Sequence, residues 1–510
     1  MRRADFHHGF YLFGVMALAM SMPLSHFVMG LSSFLLLLNW IAEWDWQNKW
    51  HRIKENRQGL WFSAFYLVYA VGLVNVTDWG AAAHEMLTKL PFLISPLIVV
   101  SSKPFSKREL QYIFSAFAMA TLIGCGWNFG YAQTHELANF REMSRFIDHI
   151  RFSLCVVLSV VFCVHYALQD SQDHPLYKYI YVLVVFLLIP YLIYSQTLSG
   201  LAIMILVAVC YIVYLIWHKA KGRSKWIFAS FSGLLLVLGV CYICCITWDY
   251  FHVKDPDPDY AARTESGRPY TFDDHSIVEN GHRVYNWVCS EELEAAWALR
   301  SDSSYDELMA ATLIRYLNSM GVRKDSAAVM RLSDDDIRNI EHKIANVHYA
   351  KNGNVRRALY ETYFGLTLYQ KYGLYDESSM LQRFELWRVS WHLIREHWLF
   401  GVGIGQQRAA LDRQLELEKS LIAGKRKNRG SHNQFLTIWL AAGILPVIYF
   451  CFLLAYPFTA TMRDRVTFVY FALILALTLS MLVEDTLNAQ TGRMLFTIFV
   501  PLMLFSEQGK

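Results

Sequence analysis

With 510 residues, 55% of them hydrophobic, 15% aromatic and 18% charged, and a mean hydropathy of +0.24, the chain is too apolar for a soluble enzyme of its size. Its formal net charge of +4 is small and gathers in short loops, which fits topology signals and excludes a nucleic-acid surface. The composition therefore predicts an all-α polytopic membrane protein whose constant partner is the lipid bilayer.

Taken in chain order, about twelve apolar segments are long enough to be transmembrane helices. They lie near 9–25, 27–42, 59–76, 82–100, 110–133, 150–168, 178–194, 198–217, 227–248, 433–458, 466–484 and 491–506. The start, MRRADFHHGF, resembles a signal peptide, yet no small-residue cleavage site follows before the second segment, so it reads as the first anchor. The fourth segment is the weakest, because Glu85 and Lys89 stand four apart in it and Pro91 and Pro96 interrupt it.

Charge tests the list independently, since one missing span inverts every later loop. With the N-terminus inside, the inner loops hold Lys49, Arg52, Lys54 and Arg57, then Lys103, Lys107 and Arg108, then Lys219, Lys221, Arg223 and Lys225, then Arg463 and Arg465. The outer loops are nearly free of basic residues. Arg141 and Arg145 with Arg151 behind them, and Arg493, are the exceptions, and topology does not explain them.

The same reading divides the chain into 1–248 (the first nine spans), 249–432 (a large outer helical loop) and 433–510 (the last three spans). In the outer loop, SYDE at Ser304 to Glu307 and SDDD at Ser333 to Asp336 have the capping-box pattern. Leu308, Leu313, Ile314 and Leu317 continue the first periodic run, and Ile337, Ile340 and Ile344 the second. Lys254 to Asp274 is rich in Pro, Asp and Gly and reads as irregular, with DPDPD (Asp255 to Asp259) as an extended, solvated linker in preference to a metal clamp.

The chain is organised around Ser378 to Gly443, which passes from an amphipathic helix into a bilayer segment. Phe384, Trp387, Trp391, Ile394 and Trp398 repeat at helical spacing, predicting an apolar stripe against a membrane or protein wall. His432 and Asn433 then stand where water meets lipid. Other polar groups share that outer side: His149 and Arg151 at the mouth of the sixth span, Ser195, Gln196 and Thr197 in a tight turn, Arg383 on the amphipathic helix, and Glu484 with Asp485 ending the eleventh. For any one of them interfacial anchoring is an equal reading. Charges at span ends are costly, however, and the set together suggests an anionic ligand at the outer leaflet.

Two further patterns argue for less. GVGIG at Gly401 to Gly405 lacks the third spaced glycine and follows a helix, so it is not a dinucleotide loop. It reads as a close backbone turn, with supply of amides to a phosphate around Gly403 as the second possibility. Of nine cysteines, eight lie in apolar runs and only Cys289 in the outer loop, so neither a disulfide scaffold nor a zinc site is supported. No carboxylate pair has convincing metal-ligand spacing, and no cofactor is implied.

The stretch SSMLQRFELWRVSWHLIREHWLFGVGIG, followed by HNQFLTIWLAAGI, resembles the O-antigen ligase and polymerase superfamily of bacterial envelopes. HIRFSL (His149 to Leu154) and MLVEDTLNAQTG (Met481 to Gly492) resemble members from Bacteroidetes-like bacteria. The resemblance implies a GT-C-type glycosyltransferase in the bacterial inner membrane, acting on its periplasmic face. Its donor would be a glycan on undecaprenyl diphosphate and its acceptor a hydroxyl, on the lipid A core for ligases, a growing repeat for polymerases, or Ser or Thr for protein-glycosylating relatives. His432 matches the family's loop histidine and Arg383 its loop arginine, with Arg151 a weaker match; His149, Asn433, Arg429, Gly403, Glu484 and Asp485 are the substrate-binding candidates. Many members carry an arginine in an SRxG-like turn, but here the turn reads SQTLSG, leaving Arg356, Arg357 or Arg429 as replacements.

The chemistry is coherent from residue types alone. Guanidinium groups stabilise a departing diphosphate, which removes the need for a metal, and an imidazole near neutrality takes the proton of the attacking hydroxyl. Glu484 and Asp485 are expected to orient arginines by salt bridging, with acceptor binding as the second role. A lipid-linked glycan transporter would also want arginines near diphosphate, but would need charges at mid-membrane and repeated halves, neither of which the sequence displays.

Overall fold

The computed structural model describes residues 3–135, 140–168, 175–218, 223–273, 275–350, 355–374, 379–424, 429–459, 461–506. Ser378, Lys219, Lys221 and Asp274, which figure in the sequence reading, lie outside the described residues. The chain forms two compact units, Met1–Lys219 with Arg383–Lys510, and Ala220–Gln382.

Each of the twelve predicted apolar segments is largely helical in its described part. Among the described residues, four helices are long and apolar enough to cross a membrane: Trp79–Ser101, Lys107–Thr134, His149–Leu168 and Leu176–Tyr194. A fifth results if His26–Ala42 and Trp46–Glu55, bent by 110°, count together. Two further segments are interrupted along their length. The tenth segment consists of Gln434–Ala442 and Ile444–Ala455, and the twelfth passes through a π-helical turn at Leu495–Phe499.

Burial ranks the first unit's helices. In His149–Leu168, 72% of the apolar window is inside the protein, against 28% in Leu176–Tyr194. The former is a core helix packed among Lys107–Thr134, Pro175–Tyr194, Leu198–His218 and Phe468–Val483, and this fixes the position of its first turn. A cluster of Phe114, Phe117, Phe162 and Phe499 closes its lower half.

The break at Gly443 has a steric cause. Its φ is +81°, and a Cβ there would stand 1.9 Å from the Leu399 carbonyl oxygen. Gly401, at φ +72°, would place a Cβ 2.4 Å from the Leu440 oxygen. The GVGIG turn is thus nested against the split helix, with the Val402 amide donating to Leu440 O at 2.7 Å and Trp439 Nε1 donating to Trp398 O at 2.9 Å. We predict that Gly443→Ala destabilises the protein by about 3 kcal/mol or more, the upper range for a strained left-handed residue, before any backbone displacement is counted. Thermal unfolding in detergent would show this as a clear drop in the midpoint, and an unchanged midpoint would contradict it.

Ser379–Glu396 is the expected amphipathic helix, and of the predicted stripe Ile394 is buried. Leu386, Val389, Leu393 and Ile394 are buried, whereas Phe384, Trp391 and Trp398 are 47%, 41% and 55% exposed. The compact aliphatic side chains interdigitate with the protein, and the wide aromatics are left for the surface. A bidentate Arg388–Glu385 pair, extended to Glu418 at 2.8 Å, joins this helix to Gln407–Leu417.

The second unit pairs Arg223–Phe251 with Val355–Tyr372 and carries short helices around Trp297, Leu293, Leu313, Leu317 and Ile340. Ser333 and Asp336 form the expected capping box, but the Glu307–Ser319 helix of the first pattern is capped by Asp306 in place of Ser304, through Met309 N at 2.7 Å. Lys254 to Asp273 is largely without regular structure, yet it is pinned. Asp255, read from sequence as solvated, accepts from His282 Nδ1 at 2.6 Å and from the Arg283 amide at 2.5 Å. Glu292 gathers hydroxyls from Thr264, Ser266 and Ser326; burial pushes its carboxyl up, but these bonds and the Ser326 amide bring it down to about 2.

Candidate active site

Three stretches far apart in sequence meet at one carboxylate. Glu484 is the residue that ends the Phe468–Val483 helix, in extended conformation, and its side chain is 5% exposed. Arg383 Nη2 donates to its Oε1 at 2.5 Å. His432 Nδ1 lies 3.1 Å from Oε2, and Arg151 Nη2 3.7 Å from the same oxygen. Each partner is placed by a rigid element: Arg383 by the helix it sits on, Arg151 by the first turn of the core helix, and His432 by a left-handed backbone (φ +49°) just before the Asn433 cap. Asn433 Oδ1 accepts from the Phe435 and Leu436 amides, while its Nδ2 donates to Leu482 O at 3.0 Å. The cap therefore ties His432 to the chain carrying Glu484.

Glu484 faces two guanidinium groups, and Arg151 is shared with the half-exposed Asp148 at 3.1 Å. Among the described residues Arg151 Nε is buried without a hydrogen-bond partner. With Nδ1 turned to Glu484, the Nε2 of a neutral His432 is the atom left to accept a proton. His149, in the same first turn as Arg151, lies 3.9 Å from Asp148.

Asp485 corrects the expectation of paired roles. It makes no ion pair within 4.0 Å among the described residues; its Oδ1 instead accepts from Thr437 Oγ1 at 2.6 Å and Ser431 Oγ at 3.4 Å. The loop carrying both carboxylates is held below by Leu487 N donating to Gln434 Oε1 at 2.7 Å and by Lys89 Nζ donating to Asn488 Oδ1 at 2.5 Å. Lys89 is buried and stands 3.7 Å from Glu85, the pair the sequence places four apart in the fourth segment. That pair braces the loop.

The remaining candidates fall elsewhere. Gly403 packs against Asn75 O, and the flanking Val402 and Ile404 amides donate to Leu440 O and Gly72 O, which leaves those amides engaged. Arg356 and Arg357 belong to the second unit, at 3.5 Å from Asp249 and 2.8 Å from Glu361. Arg429 lines a recess with Asp485. The Ser195–Thr197 turn is closed on itself through Ser195 Oγ, 2.9 Å from Leu192 O and 3.2 Å from Thr197 Oγ1. Of the outer arginines that defied topology, Arg151 reaches Glu484, Arg145 lies over the Tyr131 ring at 4.7 Å, and Arg493 donates to Thr88 O just before Pro91 breaks its helix. Sequence reasoning missed Ser431, Thr437, Gln434 and Asn488, whose small polar side chains inside apolar runs give no signal by type.

The several apolar helices, four of them able to cross a membrane, mark a multi-pass membrane protein, and in it two guanidinium groups and an imidazole share one buried carboxylate. Residues 347–451 match the model of the family described as O-antigen ligase, which supports the O-antigen ligase and polymerase superfamily and a glycosyltransferase of ligase or polymerase type. The matched stretch contains Arg383 and His432, while Arg151, Glu484 and Asp485 lie outside it. No curated protein matches the chain.

Proposed function

We propose that this protein is an O-antigen ligase acting on the periplasmic face of the bacterial inner membrane, moving a glycan from undecaprenyl diphosphate to a hydroxyl of the lipid A core. The observation that carries the reading is the convergence of Arg383, Arg151 and His432 on Glu484. The acceptor oxygen attacks the anomeric carbon, the bond from that carbon to the diphosphate oxygen breaks, and the electron pair leaves with the diphosphate. Arg383 and Arg151 stabilise the charge that develops there. The acceptor's proton passes to Nε2 of His432, and Glu484, on Nδ1, orients the ring.

The direct test incubates the purified protein with undecaprenyl diphosphate glycan and core lipid, with and without chelator, and follows glycan-capped product. Product is expected in both arms; none in either would refute the reading. A polymerase shares the superfamily, and deletion separates the two: losing a ligase leaves uncapped core and accumulated lipid-linked polymer, whereas losing a polymerase leaves short capped core.

Arg383→Lys keeps the charge but not the planar fork. We predict a fall of about 10- to 100-fold in kcat/KM for the donor, equivalent to one or two charge-assisted hydrogen bonds. Unchanged donor kinetics would remove Arg383 from the diphosphate.

A further inference from the structure

The helix that carries Arg383 has a second surface that the Glu484 cluster does not use. Along Ser379–Glu396 and just past its end, Phe384, Arg388, Trp391, Arg395 and Trp398 recur at steps of four and three, which stacks them in one stripe. All five side chains are exposed. The helix meets the protein through its opposite, aliphatic side at Leu386, Val389 and Leu393, so the stripe is not its packing face. A phenyl and two indoles left to water would cost about 25 cal/mol for each Å² of apolar surface, and a contiguous apolar surface of this kind marks a site of contact.

We infer that the stripe is seated in the headgroup layer of the bilayer, with phospholipid as its partner, so that this helix lies along the membrane surface. Continuity is the first support. Trp398 O accepts from Trp439 Nε1 at 2.9 Å and from the Ile444 amide at 3.1 Å, and Ile444 opens the apolar helix Ile444–Ala455. Leu445 and Ile448 of that helix are 51% and 59% exposed, a surface suited to hydrocarbon, and the stripe runs directly into it. Residue type is the second support. Indoles concentrate where lipid meets water because one edge is apolar and the other donates a hydrogen bond. The Trp391 ring meets the Trp439 ring edge-on at 5.6 Å, and the Arg395 guanidinium stands 5.8 Å from the Trp391 ring centre. The five positions include no carboxylate, and the acid that pairs with Arg388 within the helix, Glu385, is buried off the stripe. The surface therefore offers guanidinium groups on apolar stems among aromatic rings, the complement of phosphodiester headgroups above acyl chains. The inference does not use the transferase reading. For that transferase, the seat would hold Arg383 at the depth of lipid phosphates, so that a lipid-linked diphosphate meets it without leaving the membrane.

The test uses the purified full-length protein in nanodiscs made of phospholipid alone. Phe384, Trp391 and Trp398 are replaced one at a time by the photoreactive benzoylphenylalanine, with Ile448 as the hydrocarbon reference and Glu396, exposed on the same helix but off the stripe, as the water reference. After irradiation, mass spectrometry identifies what each position has captured. Phospholipid adducts are expected at the stripe positions several-fold more often than at Glu396, on headgroups and the adjoining acyl carbons, the layer about 5–10 Å deep that interfacial helices occupy, with the Ile448 adducts farther along the chains. Capture of peptides from this chain or from a second copy at the stripe positions, or lipid capture no more frequent than at Glu396, overturns the seat. Three separate positions keep the result readable if one replacement fails to fold. The discs hold no donor, so a substrate's prenyl chain cannot supply the adducts, and failure of the transferase assay leaves this outcome unchanged.

Discussion

Replacing His432 by Ala should reduce transfer by about 10²- to 10⁴-fold, the usual contribution of a positioned general base, while leaving the protein folded in the membrane. The imidazole is about two-fifths exposed, and its contact with Glu484 is one of three that the carboxylate makes, so truncation removes a proton acceptor without stripping the cluster of its positive partners. Single-turnover assays with saturating donor should show the loss in kcat, because neither guanidinium has been touched. A variant that transfers at the wild-type rate would show that another group takes the proton.

Glu484→Gln should be worse, and in a different way. The neutral amide leaves Arg383 and Arg151 facing each other without the charge that holds them, and removing one member of a buried ionic group typically costs about 3–5 kcal/mol. The expected result is a lowered unfolding midpoint together with loss of transfer, whereas His432→Ala loses transfer alone. If Glu484→Gln keeps both midpoint and activity, Glu484 is not the element that brings the arginines together.

These two residues also show what can be read from a sequence of this kind. Hydropathy and loop charge located twelve apolar segments because burial in lipid demands length and apolarity, which are properties of composition. His432 and Arg383 stood out by resemblance, and Glu484 by the rarity of charge at a span end. The packing that joins them was not legible. The aromatic stripe at Phe384, Trp391 and Trp398 was periodic, yet the helix buries its aliphatic residues, since periodicity gives a face and not the identity of what covers it. The split at Gly443 depends on a contact with Leu399, 44 residues earlier in the chain, that no local pattern announces. Asp485 looked like a second copy of Glu484, and only the hydroxyls of Thr437 and Ser431 distinguish it.

The extended backbone at Glu484 gives two successive carboxylates different partners, Glu484 the guanidinium and imidazole groups and Asp485 the hydroxyls of Thr437 and Ser431. Their order is consequently a form of information that net charge cannot replace. Exchanging them, with Asp at 484 and Glu at 485, would preserve composition, formal charge and hydropathy, yet leave the guanidinium groups one methylene short of their partner and crowd the longer acid against Gly430. Engineers grafting this segment onto another scaffold should treat the dipeptide as directional.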